Sequence, residues 1–178
     1  VREIQNECYH IDDDMRWLIA LISDTGMRLS EAAGLHREDI VLGDVVPHLI
    51  VQSHPWRGLK TGSSERRIPL VGASLWAAQR IIHQSHHLRF AFPRYNRQEQ
   101  TNGNSASAAL NKWLKSYLPA GCSIHSFRHS MRDRLRSVGC PSDMIDQIGG
   151  WSKETVGQGY GLGFGLEALT SYMDQITI

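Results

Sequence analysis

The segment from His125 to Tyr160 contains the residue types that could bind a phosphate and attack it. It reads HSFRHSMRDRLRSVGCPSDMIDQIGGWSKETVGQGY. His125 and Arg128 are three residues apart, so on a helix they share one face and can address one ligand. Arginine presents a planar fork of N–H donors that matches phosphate oxygens, and histidine can move a proton near neutral pH. Taken alone, the pair also has a simpler explanation, in which His125 is only a residue near a helix start and Arg128 is a solvated helix charge.

Tyr160 lies in a glycine-rich stretch, and this setting is unusual for an aromatic residue that only fills a core. The stretch reads GQGYGLGFG at 157–165. Flexible glycines suit a nucleophile that must move into place. An unperturbed tyrosine has a pKa of about 10, so attack at neutral pH needs a base and cationic surroundings. His125 is the candidate base, and Arg128 would stabilise the charge that develops on a phosphate.

Further candidate residues lie far upstream, around Arg28 and Lys60. The run TGMRLSEA at 25–32 places Arg28 at a predicted helix start, where backbone N–H groups already favour an anion, with Glu31 three residues later. An ordinary surface ion pair would explain Arg28 and Glu31 equally well. Between residues 45 and 70, the runs LIVQ, PWRGLKTGSS and ERRIPL predict a small antiparallel ribbon with Lys60 at or near its turn.

Helical patterns fill most of the remaining chain. Carboxylates at 12–14 begin one helix, apolar residues follow at helical spacing, and Thr25-Gly26 ends it. Further helices are predicted over about 30–35, 73–88, 105–118, 125–138, 141–148 and 166–175. With 178 residues, of which 41% are hydrophobic, the chain can build one sizeable core. We therefore expect a single domain over 1–178 that is mainly α with a small antiparallel β-sheet.

The net charge of +1 conceals an uneven charge distribution. Residues 1–47 carry 4 basic and 10 acidic side chains, residues 48–138 carry 14 and 3, and residues 139–178 carry 1 and 5. A basic middle of this size suits a surface that binds a polyanion, because each neutralised phosphate releases condensed counterions. The same charges could instead fold against the acidic ends, so charge alone leaves both readings open.

Disulfide, metal and membrane signals are weak. The three cysteines are odd in number and far apart, which predicts reduced packing residues: Cys8, Cys122 and Cys140. His83, His86 and His87 have helical spacing but lack carboxylate or cysteine companions, which favours a solvated helix face over a zinc site. No run approaches the ~18 apolar residues of a membrane span, and the N-terminal residues do not resemble a secretory signal. We expect a cytoplasmic protein that works without a metal, a cofactor or a membrane.

Five elements, taken in order, resemble the catalytic domain of tyrosine recombinases, most closely phage-type integrases. They are TGMRLSEAAGL, LKTGSSERRIPL, HSFRH, GGW, and a tyrosine nine residues after that tryptophan. The resemblance covers the chain from about residue 11 to about residue 176. It implies the fold of DNA breaking-rejoining enzymes. It also implies that the chain is the C-terminal catalytic domain of a longer integrase, without the N-terminal core-binding and arm-binding regions.

The resemblance assigns roles to individual residues. The implied catalytic set is Arg28, Lys60, His125, Arg128, Trp151 and Tyr160, with Glu31 as the acidic residue that braces Arg28. Trp151 falls at a position that is more often histidine but is tryptophan in some members. The usual Leu-Gly-His reads Ile148-Gly149-Gly150-Trp151 here, with one extra glycine, so the register of Trp151 rests on its nine-residue spacing to Tyr160.

The implied function is site-specific DNA recombination that integrates and excises a phage or mobile element. Tyr160 would form a 3′-phosphotyrosyl link, and Lys60 would protonate the departing 5′ oxygen. The link keeps the bond energy, so no ATP is needed, and the arginines replace a metal ion. The implied partners are double-stranded DNA attachment sites, further copies of the chain in a tetramer on DNA, and accessory DNA-bending proteins. The implied location is the cytoplasm of a bacterial host cell, on DNA.

Some assignments remain open at this stage. The predicted DNA contacts are Arg57, Arg66 and Arg67, with plain surface charge as the alternative for the last two. Trp56 either touches DNA or covers the ribbon, and the C-terminal helix docks either on its own core or on a neighbouring protomer. Relaxation of supercoils, as in a type IB topoisomerase, and a catalytically silent DNA-binding module are the alternatives to recombination.

Overall fold

A computed structural model of the chain describes residues 1–59, 64–84, 88–97, 100–151 and 163–177. Within these residues the helices are α1 (Arg2–Ile11), α2 (Asp14–Thr25), α3 (Leu29–Ala33), α4 (Gly72–His83), α5 (Gly103–Leu114), α6 (Ser126–Ser137), α7 (Ser142–Gly149) and α8 (Leu166–Met173). The strands are β1 (Ile40–Val41), β2 (His48–Val51), β3 (Arg66–Pro69), β4 (Asn96–Arg97) and β5 (Gln100–Thr101). The predicted class, mainly α with a small antiparallel sheet, is confirmed.

The predicted helices correspond to α2 through α8, and their ends follow local rules. The carboxylate of Asp13 accepts the backbone N–H of Arg16 at 3.0 Å and so caps the start of α2. Gly26, with φ at 61°, ends α2 in the left-handed conformation that favours glycine. Helix α1 was not predicted, because its buried face is limited to Ile4, Gln5 and Cys8 on an otherwise polar helix.

The predicted ribbon is the β2–β3 pair of a three-stranded antiparallel sheet in the order β1-β2-β3. Leu49 at the centre pairs with Ile40 on one side and with Ile68 on the other, and these apolar side chains face the core. Strands β4 and β5 form a separate antiparallel pair. Lys60 belongs to the segment between β2 and β3, at 60–63, which lies outside the described residues.

Helix α2 runs through the centre of the domain and holds its neighbours with a buried carboxylate. Every residue of α2 from Trp17 to Thr25 is buried. Asp24 accepts hydrogen bonds from Gln5 Nε2 of α1 at 3.0 Å, from the Ala73 backbone N–H of α4 at 2.9 Å, and from Arg134 Nη1 of α6 at 3.1 Å. This single carboxylate therefore connects four helices.

The C-terminal helix packs on its own domain. Leu169 and Met173 of α8, and Ile176 in the 3₁₀ turn that follows it, are buried. The carbonyl of Ile176 accepts a hydrogen bond from Arg134 Nη1 at 2.9 Å. In this structure of a single chain, the C-terminal helix has the docking mode on its own core. None of the described helices is both long enough and apolar enough to cross a membrane.

We expect Asp24→Ala to lower the free energy of unfolding by about 3–5 kcal/mol, because it leaves the Arg134 guanidinium in a buried place without its carboxylate. Urea unfolding followed by circular dichroism measures this change. Asp133→Ala on α6 is the matched control, since its side chain is 76% exposed, and it should change stability by less than about 0.5 kcal/mol. Similar losses for both variants would contradict the role given to Asp24.

Candidate active site

The carboxylate of Glu31 is buried between two arginines. Glu31 is 2% exposed, and its Oε1 lies 2.9 Å from Arg28 Nη1 while its Oε2 lies 2.9 Å from Arg66 Nη2. Its Oε2 also accepts the Arg28 backbone N–H at 3.1 Å, at the start of α3. Burial by itself would raise the pKa of Glu31, but the charge and hydrogen bond of Arg66, with the hydrogen bonds of Arg28, outweigh it and hold that pKa below its usual value. The ionised carboxylate therefore orients both guanidinium groups.

Arg28 reaches across the site from the first residue before α3. Besides Glu31, its Nη1 donates to Ser64 Oγ at 3.2 Å and its Nη2 donates to the carbonyl of Gly150 at 3.3 Å. Ser64 is the first described residue after the segment that contains Lys60, and Gly150 directly follows α7. The side chain of Arg28 is 23% exposed, so it is braced by protein groups and still accessible to a ligand.

Arg128 of α6 adds a second guanidinium whose donors are only partly used. It is 4% exposed, and its Nη1 donates to the carbonyl of Gly26 at 2.7 Å. Within the described part of the chain, its buried Nη2 has no hydrogen-bond partner. Burial, together with the nearby charges of Arg28, Arg66 and Arg132, lowers the pKa of Arg128 to about 10. The group is therefore still cationic at neutral pH, and an anionic oxygen would satisfy the unused donor.

Trp151 packs against the same guanidinium. The Cζ atom of Arg128 lies 4.2 Å from the centroid of the indole ring, and that of Arg132 lies 5.1 Å from it. Both distances are within the range of a cation–π interaction. Arg132 also pairs with Asp146 of α7 at 3.6 Å. Arg132 was not among the residues predicted for the site, although its position four residues after Arg128 predicts the same helical face.

The two glycines before Trp151 have separate structural roles. A Cβ atom on Gly149 would lie 1.7 Å from Cζ3 of Trp151, so only glycine lets the indole lie against the end of α7. Gly150 has φ at 62° and ends α7 in the left-handed conformation. The extra glycine, which was the main departure from the family pattern, therefore makes room for the larger ring at this position.

The remaining predicted catalytic residues are described only in part. His125 is exposed at the residue before α6, and its ring meets that of His129 edge-on at 5.2 Å. It thus occupies the helix start that the sequence predicted. Lys60 and Tyr160 lie outside the described residues, so the structure brings together Arg28, Glu31, Arg128 and Trp151.

Two of the three predicted DNA-contacting arginines are inside the domain, which corrects the sequence interpretation. Arg57 is 4% exposed, its Nη1 donates to the carbonyl of Glu31 at 2.5 Å, its Nη2 donates to that of Gln52, and burial lowers its pKa. The side chain of Arg66 is 3% exposed and paired with Glu31. Arg67 is exposed and stays a predicted contact. The burial of Arg57 depends on partners distant in the chain, whereas strand alternation offers a local signal for Arg66, which shares a face of β3 with the buried Ile68.

Trp56 packs against the domain and does not project into solvent. It is 7% exposed, and its indole N–H donates to the carbonyl of Gly34 at 3.0 Å. Its ring stacks on His54 at 4.4 Å with an interplanar angle of 9°, and the guanidinium of Arg89 lies 4.4 Å from its centroid. Of the two roles left open, the packing role is the one observed. Among the described residues, no group of three or more His, Cys, Asp or Glu side chains is arranged to hold a metal ion.

Solved structures of an integrase have a similar fold. The integrase of transposon Tn1549 in complex with a circular intermediate DNA matches with a TM-score of 0.58 and 21% identity, covering 91% of this chain and 58% of that one. A second structure of that integrase with circular intermediate DNA matches with a TM-score of 0.56 and 23% identity, covering 90% and 57%. A third structure, with transposon right end DNA, matches with a TM-score of 0.56 and 21% identity, covering 90% of this chain and 58% of that one. The chain thus spans less than two thirds of these integrase chains.

The profile of the phage integrase family matches residues 2–161. This match covers most of the chain, which therefore belongs to the phage integrase family. The resemblance inferred from the five sequence elements is confirmed. No curated protein matches the chain significantly.

Glu31→Gln tests the charge at the centre of the site. Because the pKa of Glu31 is held below its ordinary 4.5, its ionisation stabilises the folded chain above that pH, and the stabilisation disappears as the pH falls through the lowered value. At pH 7 we expect the variant to lose about 3–5 kcal/mol, since Arg66 is left buried without a carboxylate. Urea unfolding at a series of pH values should show that the difference in the free energy of unfolding between variant and wild type becomes smaller in acid. A difference that stays constant with pH would contradict this account.

Proposed function

We propose that this chain cuts and rejoins DNA by site-specific recombination, as the catalytic domain of an integrase of a phage or other mobile element. The observation that carries the proposal is the pair of guanidiniums, Arg28 and Arg128, gathered beside one buried carboxylate with a buried N–H donor of Arg128 unused. Two preorganised cations are what an attacked phosphodiester requires, because attack builds negative charge on its non-bridging oxygens. Membership of the phage integrase family supports the same conclusion.

In the proposed reaction, the phenolic oxygen of Tyr160 attacks the phosphorus of one DNA strand. A phosphorus–oxygen bond forms to the tyrosine, and the bond from phosphorus to the 5′ oxygen breaks. The phenolic proton passes to His125, and Lys60 gives a proton to the departing 5′ oxygen. The 5′ hydroxyl of a second strand then attacks the 3′-phosphotyrosyl link and releases the tyrosine, so rejoining needs no ATP.

Several described residues support specific steps of the proposed reaction. Arg28 and Arg128 would hold the non-bridging oxygens, and Glu31 keeps Arg28 in place through its ion pair. Trp151, packed against the Arg128 guanidinium, restricts the directions in which that group can point. Fixing a donor before the charge develops is what makes it effective in a transition state.

The proposed partners are double-stranded DNA attachment sites. The similar structures of the Tn1549 integrase contain DNA, and the basic excess of residues 48–138 suits a DNA-binding face. We propose further that the chain acts on DNA in the bacterial cytoplasm, that copies assemble as a tetramer on DNA, and that accessory proteins bend the DNA.

A nicked suicide substrate should trap a covalent protein–DNA adduct with the wild-type chain and not with Tyr160→Phe, because only the phenolic oxygen can form the phosphotyrosyl bond. Nicked duplexes selected from a randomised pool for binding supply the substrate, and denaturing gels measure the adduct. An adduct with Tyr160→Phe would contradict the nucleophile. DNA binding without any adduct would indicate a silent binding module, and relaxation of plasmids that lack paired sites would indicate a topoisomerase.

Arg128→Ala should lower the cleavage rate by about 100 to 1000-fold, the usual effect of losing one donor to a developing anion. The dissociation constant for DNA should stay close to that of wild type. Arg136→Ala is the matched control on the same helix, because its side chain is 59% exposed. Equal losses of binding and cleavage in Arg128→Ala would show that the residue holds DNA and does not stabilise the transition state.

A further inference from the structure

The side chain of Arg66 connects three separate parts of the candidate site. Its Nη2 donates to Glu31 Oε2 at 2.9 Å, its Nε donates to the carbonyl of Ile148 at 2.9 Å, and its Nη1 donates to the carbonyl of Ser64 at 2.6 Å. The side chain is 3% exposed, and every nitrogen of the guanidinium therefore already has a protein acceptor. These bonds use three of the five N–H donors of an arginine, and the buried side chain presents almost no surface to a DNA phosphate.

Each partner of Arg66 leads to a different catalytic element. Glu31 is the carboxylate that orients Arg28. Ile148 is three residues before Trp151, at the end of α7. Ser64 follows the segment at 60–63, and its hydroxyl accepts a hydrogen bond from Arg28.

The end of α7 is held by Arg66 and Arg28 together. A Cβ atom on Gly150 would lie 2.8 Å from Arg66 Nη1, so the guanidinium lies directly against the main chain there. The carbonyl of Gly150 accepts from Arg28 Nη2 at 3.3 Å. Carbonyls at the end of a helix lack partners within the helix and carry partial negative charge, so two cations stabilise this end.

We infer that Arg66 is a positioning residue of the strand-cleavage reaction, which acts through Glu31 and Arg28 and through the end of α7 without touching DNA. The inference rests on the proposed function. An arginine is required because three acceptors in three directions match a planar fork of donors, whereas a lysine offers a single point charge. Arg66→Lys should therefore keep the positive charge and lose the arrangement of three hydrogen bonds.

The neighbouring arginine provides a matched control. Successive side chains of a strand point to opposite faces, and Arg67 is exposed where Arg66 is buried. A DNA contact at Arg67 would show itself in affinity and in the salt dependence of binding. A positioning role at Arg66 would show itself in the rate of cleavage at saturating DNA.

The test measures single-turnover cleavage of the suicide substrate at saturating DNA, and DNA affinity over a range of salt, for Arg66→Lys and Arg67→Gln. We expect Arg66→Lys to lower the rate about 100-fold, the effect of a small misplacement of catalytic groups, with little change in affinity. Arg67→Gln should weaken binding and reduce the salt slope by about one, and Arg136→Ala, at an exposed position of α6, should leave the rate unchanged. Thermal unfolding of each variant identifies a temperature at which all are folded.

A double-mutant cycle separates positioning from general destabilisation. If Arg66 acts through Glu31, then adding Arg66→Lys to Glu31→Gln should slow cleavage much less than it does in the wild-type background. Independent, additive losses of rate would overturn the part of the inference in which Arg66 acts through Glu31.

Other outcomes are also decisive. A parallel loss of affinity, salt slope and rate in Arg66→Lys would make Arg66 a DNA contact, and an unchanged rate would remove its positioning role. Either result, obtained while the wild-type chain forms its adduct, overturns this inference alone. Absence of the adduct with the wild-type chain would overturn the proposed function and this inference with it.

Discussion

A buried carboxylate must be paired, and the site depends on how Glu31 meets that requirement. Glu31 is 2% exposed and contacts two guanidiniums, that of Arg28 just before α3 and that of Arg66 in β3. Removing one partner of such a group leaves an uncompensated charge in a place of low polarity. The ion pairs and the fold around them therefore support each other. Through the same two arginines the constraint extends to the end of α7, where Trp151 follows.

The described part of the site has four arginines, Arg28, Arg66, Arg128 and Arg132, and two carboxylates, Glu31 and Asp146. Burial lowers the pKa of Arg128, and the charges of Arg28, Arg66 and Arg132 lower it further, while the carboxylate of Glu31 acts in the opposite sense. Such repulsion costs stability, and an anion bound between the arginines would relieve it. Two contacts stabilise the arrangement in spite of this repulsion. Trp151 packs on the Arg128 guanidinium, and the Asp24–Arg134 pair holds α6 to the central helix.

Local patterns in the sequence predicted most of the fold. The apolar spacing, the carboxylates at 12–14 and the Gly26 stop located α2, and the β-branched runs located the β2–β3 pair. Helix α1 escaped prediction because it buries only a narrow face, Ile4, Gln5 and Cys8, of a segment that is otherwise polar. Strand β1 escaped prediction because a two-residue strand carries little pattern of its own and is defined by the strand it pairs with, β2.

By itself, the sequence determined which chemical groups are present, in which order, and on which helix starts and turns. These are properties of residue type and near-neighbour spacing, and they sufficed to identify the family. Only the tertiary structure decided which arginines face a ligand and which hold the domain together. Arg66 and Arg67 are adjacent and of identical type, yet one is buried against Glu31 and the other is exposed. Strand alternation places the two side chains on opposite faces, but the pairing of the inner one with Glu31 depends on a group dozens of residues away, which only the folded chain brings into contact.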